Sequence, residues 1–274
     1  MKAVKKVQVK SSSILSYVDT GQGFPIVLIH GLFLDHNAFE QQIKAFEGQV
    51  RIIAIDIHGH GESSVLSKPI SLEEMAEDYL YLVQQLGIRQ AIWCGVSLGG
   101  MTSLRIAIRH PEAVLGLLLL NTDASSGAGK KIPSLDGLNA ILTLRFLWNT
   151  QFLKKQVLKT GLLGRTTLAT NPSLQQIWIE RMKQIKIISL KHSVEAVLSA
   201  SSILDQLSTI SVPTIVAAGE EDTALSVSAS QEIHQRIRNS ILVEIEKCGH
   251  SSSIEQPKKV SQLLEQLLLE VYFC

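Results

Sequence analysis

Cysteine is scarce in this chain: Cys94, Cys248 and Cys274 are the three among 274 residues. An odd number at irregular spacing builds no disulfide framework, which points to a reducing compartment and a core held by packing alone. A surplus of either charge is also missing, since 26 Lys and Arg face 25 Asp and Glu for a net charge of +1. So balanced a chain offers no electrostatic ground for gripping nucleic acid or an anionic membrane. Long apolar runs are missing as well. The stretch from Ala113 to Leu120 is broken by Gly116, and it falls far short of the roughly 20 residues a membrane span requires. The start, MKAVKKVQVK, is basic but has neither the apolar stretch nor the small-residue cleavage site of a secretory signal. Internal repeats and low-complexity tracts are absent. These absences leave the expectation of a soluble, cytoplasmic protein, and a 45% hydrophobic content is enough to bury a substantial core.

What is present is alternation. Short Val-, Ile- and Leu-rich runs predict strands at Ser13–Val18, Ile26–Ile29, Arg51–Ile55, Ala91–Cys94, Leu115–Leu120, Thr214–Ala218 and Leu242–Ile245. Amphipathic stretches lie between them. Ser71–Leu86 is the clearest, with Ser71 and Glu74 spaced as a capping box and Gly87 as a stop. A second helix is expected from Ser97 to His110, closed by Pro111, and a last one from Pro257 toward Glu270. Strand–helix alternation implies an α/β fold: a mostly parallel sheet with helices on both faces. One segment breaks the rhythm. From about Ser125 to Ser208 there is no convincing strand, and the alternation resumes at Val212-Pro213. This predicts a helical lid, residues 125–208, inserted into a core formed by residues 1–124 and 209–274.

Gly95-Val96-Ser97-Leu98-Gly99 fits G-x-S-x-G, preceded by the strand AIWC and followed by a helix. That context is what a nucleophile elbow requires: a turn so tight that the flanking residues must be small, with the hydroxyl held at a helix N-terminus. A glycine-rich turn with a structural serine is the alternative. At this motif the chain resembles the α/β-hydrolase superfamily, most of all its esterase, lactonase and C–C hydrolase branch with a helical lid. The resemblance runs from about Ser13 onward.

The resemblance implies the remaining site residues. His30-Gly31-Leu32-Phe33 is similar to the family's HG loop, so the backbone N–H groups of Leu32 and Leu98 would form the oxyanion hole; His30 itself reads as structural. Gly219-Glu220-Glu221-Asp222 matches G-x-x-D and assigns the orienting acid to Asp222, with Asp123 as a rival because some relatives carry the acid there. Cys248-Gly249-His250 followed by Glu255-Gln256-Pro257 matches G-H and E-x-P, making His250 the general base and Cys248 a packing residue. His58, His60 and Glu62 have an H-x-H-x-E spacing suggestive of metal. The expected further histidine is replaced by Ser63 and Ser64, and Asp56 to Ser63 resembles the family's structural D-x-x-G-x-G-x-S turn. Neither metal nor organic cofactor is therefore expected.

The implied reaction is attack by Ser97 on a carbonyl, with His250 as base and activity falling below about pH 6. The expected partner is a small-molecule, ester-like substrate. Phe33, Phe146, Trp148, Phe152 and Trp178 are candidates for an apolar substrate pocket. C–C bond hydrolysis, thioester cleavage or acyl transfer by the same residues stays open, as does a non-catalytic ligand-binding role.

Overall fold

Five strands are buried on both faces along nearly their whole length, as their uninterrupted apolar sequences require. They are β3 (Phe24–Ile29), β4 (Val50–Ile55), β5 (Ala91–Val96), β6 (Val114–Leu120) and β7 (Thr214–Gly219). With β1 (Val4–Gln8), β2 (Ile14–Asp19) and β8 (Ser240–Ile245) they form an eight-stranded sheet in the order β1-β2-β4-β3-β5-β6-β7-β8. The pairs β1–β2 and β2–β4 are antiparallel and the remainder parallel. The computed structural model describes residues 3–127 and 150–273.

The strand β1 is absent from the sequence-based expectation. Its sequence, VKKVQ, is largely exposed and alternates too weakly to read as a strand; pairing with β2 in five register positions is what orders it.

The helices follow local chemistry. In α2 (Leu72–Gln85), which follows the short α1 (Glu40–Ala45), the Glu74 amide donates to Ser71 Oγ at 3.1 Å and the Ser71 amide donates to Glu74 Oε2 at 2.9 Å, completing the capping box. Gly87 then leaves the helix at φ +73°. The helix α3 (Leu98–Arg109) stops before His110-Pro111, and Pro257 opens the last helix, Pro257–Phe273. Between β6 and β7 the described residues form no strand. They hold α4 (Gln151–Val157), a π-helical turn (Leu158–Leu162), α5 (Arg165–Thr170), α6 (Pro172–Met182) and α7 (Ile187–Leu198). This segment is hydrogen-bonded to the sheet layer: the Leu66 amide donates to Ser189 Oγ at 2.9 Å, and the Thr166 amide to Glu221 Oε2 at 2.7 Å. Among the described residues no helix is long and apolar enough to cross a membrane.

The strand order reverses direction between β3 and β5, which pair from Ile26↔Ile92 to Ile29↔Gly95. In an open parallel sheet, the carboxyl ends of the strands at such a point frame a crevice. The sequence continues from those ends into His30-Gly31 after β3, Ser97 after β5, Asn121 after β6, Asp222 after β7 and His250 after β8.

Candidate active site

Ser97 sits between β5 and α3 at φ 53° and ψ −117°, a conformation that costs a non-glycine residue strain. The surroundings impose it. The Ser97 amide donates to the Leu120 carbonyl at 2.9 Å, and Thr122 Oγ1 donates to the Ser97 carbonyl at 2.7 Å. A Cβ on Gly95 would strike the backbone of Gly99, and one on Gly100 would lie 2.6 Å from Thr122 Cβ.

The loop after β3 presses against this turn. A Cβ on Gly31 would sit 3.1 Å from Ser97 Cβ and 3.2 Å from the Val96 carbonyl oxygen. Phe33, at φ 67°, turns the chain back just beyond. Leu98 is the first residue of α3, where an N–H has no intrahelical acceptor. The Leu32 N–H likewise has no backbone acceptor among the described residues. His30 is fully buried behind them: its Nδ1 lies 2.8 Å from the Gly31 carbonyl, and its Nε2 accepts from the Ile57 amide at 3.1 Å. Burial pushes its pKa down. That is the chemistry of a neutral, structural imidazole.

His250 Nδ1 is 2.8 Å from Asp222 Oδ2. The other carboxylate oxygen, Oδ1, accepts from the amides of Ala224 at 2.8 Å and Leu225 at 2.9 Å. Asn121 Nδ2 donates to Asp222 Oδ2 and to the Gly249 carbonyl, both at 3.0 Å. Asn121 therefore ties the carboxylate to the histidine loop, and the sequence reading missed it; an uncharged amide after a strand carries no pattern of its own. The rival acid, Asp123, accepts instead from the Ser125 amide at 2.9 Å. Burial opposes a charged His250, but the charge and hydrogen bond of Asp222, together with the charge of Glu255, outweigh it and place its pKa above the usual 6.5. Burial equally opposes a charged Asp222, yet His250 and the donors around it hold its carboxyl below 3.8.

Ser97 and His250 line one cleft, together with Leu32 and Phe33. The wall is otherwise mostly aliphatic, from Met101 on α3, Val157 and Leu162 in the helical segment, Val197 on α7, and Leu225 beside Asp222. Two aromatic expectations require correction. Phe152 is 71% exposed and Trp178 only 2% exposed, and neither lines the cleft. Phe152 turns outward on α4, while Trp178 packs inward on α6 with the Arg181 guanidinium 5.4 Å from its ring. Phe146 and Trp148 lie outside the described residues. The aliphatic residues that do form the wall look in sequence like any core residue.

The Asp56–Ser63 turn is built around the Asp56 carboxylate. Asp56 accepts from Ser16 Oγ at 2.6 Å, from the His36 amide at 2.7 Å and from the Glu62 amide at 3.1 Å. Despite burial, the hydrogen bond and charge of His36, helped by the Ser16 hydroxyl, lower its pKa to about 2. Gly61 is at φ +52°, and any Cβ there would enter the Asp56 carboxylate. His58 Nε2 meets Asp78 Oδ2 at 2.9 Å. No metal-ligating cluster exists among the described residues. Cys248 is fully buried and its thiol pKa is pushed up, which leaves it unreactive.

Known proteins share this arrangement of the chain. The model of the alpha/beta hydrolase fold family matches residues 25–257. 3-Oxoadipate enol-lactonase 1 of Acinetobacter baylyi is 26% identical over 250 residues, covering 87% of this chain and 86% of its own. The 2-hydroxymuconate semialdehyde hydrolase of Pseudomonas putida is 27% identical over 263 residues, covering 92% and 89%. A thermophilic esterase from Thermogutta terrifontis superposes with a TM-score of 0.87 at 23% identity over 98% of this chain and 99% of its own, a likeness of fold. The chain is a hydrolase-type enzyme and belongs to the alpha/beta hydrolase fold family.

Proposed function

We propose that this protein hydrolyses small or medium, uncharged carboxylic esters or lactones through an acyl-enzyme. The observation that carries the reading is a single one: an imidazole bonded at 2.8 Å to a carboxylate shares an apolar cleft with a serine held in a strained strand–helix turn. In this reading His250 takes the Ser97 proton as Oγ attacks the carbonyl carbon. Asp222 fixes the tautomer that leaves Nε2 free to accept and stabilises the resulting imidazolium. The Leu32 and Leu98 amides receive the developing oxyanion, where one such donor is worth about 3 kcal/mol. His250 returns its proton to the leaving alkoxide, and water, activated by the same base, releases the acid. The described part of the predicted lid, residues 150–208, covers the cleft, since Val157, Leu162 and Val197 come from it. Among the described lining residues there is no lysine or arginine to pair with a substrate carboxylate, which favours uncharged substrates.

C–C bond hydrolysis is the second reading, favoured by the likeness to the 2-hydroxymuconate semialdehyde hydrolase along most of both chains. A panel of p-nitrophenyl esters of increasing acyl length, set beside a vinylogous diketone, separates the two by product analysis.

The deciding experiment is fluorophosphonate labelling. The wild type takes up the probe and Ser97→Ala does not, with ester turnover lowered by at least about 10⁴-fold. Equal labelling of both proteins would remove Ser97 from the chemistry. A pH profile supplies a second check. The base acts only when neutral, and Asp222 and Glu255 raise its pKa, so kcat/KM declines toward acid with an apparent pKa above 6.5. This moves the acid limb upward from the pH 6 read off the sequence; a profile flat down to pH 5 rules out a histidine base.

A further inference from the structure

The histidine loop, Lys247 to Ser251, has no regular structure of its own, yet it must hold an imidazole to within a fraction of an ångström. One carboxylate grips it from both sides of the base. Glu255 ends a short helix, Ser252–Glu255, that folds back beneath the loop. Its Oε1 accepts from the Gly249 amide at 3.0 Å and the Ser251 amide at 3.1 Å, the two residues that flank His250. Its Oε2 accepts from the Gly164 amide at 2.7 Å, between the π-helical turn and α5. The Ser251 amide also reaches the Leu162 carbonyl at 3.0 Å, and Leu162 lines the cleft. The lid segment and the base therefore share one anchor.

We propose that Glu255 is the positioning residue of this site, clamping the His250 backbone on both sides and locking it to the lid through Gly164. The inference rests on His250 being the base. A carboxylate suits the place because every donor on it is an N–H or a hydroxyl, Thr167 included, and an oxygen must meet each. Burial raises the pKa of Glu255 while those donors lower it. The charged groups facing His250 are Asp222 and Glu255; Cys248, with its raised thiol pKa, and Glu221 stand nearby. A negative Glu255 adds to the field that favours the imidazolium.

Glu255→Gln tests this. The carboxamide keeps the size but turns one acceptor into a donor, so either the histidine loop or Gly164 loses its partner. The expected result is a roughly tenfold lower kcat, with KM changed less than about threefold. The acid limb of kcat/KM should shift to lower pH, with a roughly threefold change in the proton-binding constant. An NMR titration of the His250 imidazole reads the same shift without substrate. That arm holds even if the protein turns over no ester, an outcome that would sink the proposed function alone. Glu255→Asp keeps the charge on a shorter arm: it should restore the imidazole titration while kcat stays low. Wild-type titration and wild-type kcat in a folded Glu255→Gln protein overturn the proposal. If that variant fails to fold, Glu255→Asp decides, and wild-type kcat in it overturns the proposal equally.

Discussion

Asp222→Asn should lower kcat by about 10⁴-fold while the protein stays folded. The hydrogen bonds around the carboxylate dictate the outcome. Oδ1 accepts from two backbone amides, at Ala224 and Leu225. An asparagine must keep its oxygen there, because turning its NH₂ toward two fixed N–H groups would leave both unsatisfied. The NH₂ then occupies the place of Oδ2, facing His250 Nδ1, which was held at 2.8 Å. The imidazole responds by accepting on Nδ1 and carrying its proton on Nε2. In that tautomer it cannot take a proton from Ser97. Substrate binding is governed by the aliphatic wall, so KM should change little. Steady-state kinetics on a p-nitrophenyl ester measure both constants. The comparison with Asp123→Asn is decisive, since Asp123 is bonded to Ser125 and not to the histidine. That variant should stay within a few-fold of wild type; if it loses activity and Asp222→Asn keeps it, the acid has been assigned to the wrong strand.

How far the sequence could be read depended on whether a residue's role was local. The five central strands announce themselves because burial on both faces leaves no polar position to interrupt the run. The capping box of α2 is spelled within four residues. The turn after β5 is legible because steric demand selects glycine at fixed offsets around Ser97. Roles that depend on distant partners were not legible. The β1 strand exists because β2 pairs with it. Asn121 acquires its role from Asp222, 101 residues away. Phe152 and Trp178 were misjudged for the same reason: ring content reports that a helix is buried, and not which face looks into the cleft. Phe152 faces solvent and Trp178 packs inward, and neither lines the cleft.

Gly99→Ala tests the other half of the site, the backbone that holds the serine. Gly99 lies in the first turn of α3, directly beneath the end of β3. A methyl group there would be driven into the Ile29 carbonyl oxygen, 2.7 Å from its carbon and 3.0 Å from the His30 oxygen. None of these atoms belongs to a flexible side chain. Ile29 is fixed in the middle of the sheet, paired to β4 through Ile55 and to β5 through Gly95. Retreat of the helix is resisted at its start, where the Ser97 amide donates to the Leu120 carbonyl at 2.9 Å and Thr122 Oγ1 donates to the Ser97 carbonyl at 2.7 Å. Alanine ordinarily stabilises a helix by up to about 1 kcal/mol over glycine. Here overpacking against rigid backbone should reverse that sign and cost on the order of 3 kcal/mol. Chemical denaturation should show a lower midpoint with an unchanged slope. Whatever protein still folds should also have lost most of its ester turnover, because α3 can escape the clash only by moving away from β3, which separates the Leu98 amide from the Leu32 amide. A variant as stable and as active as the wild type would mean that the close approach of helix to strand, on which the elbow geometry depends, is not required.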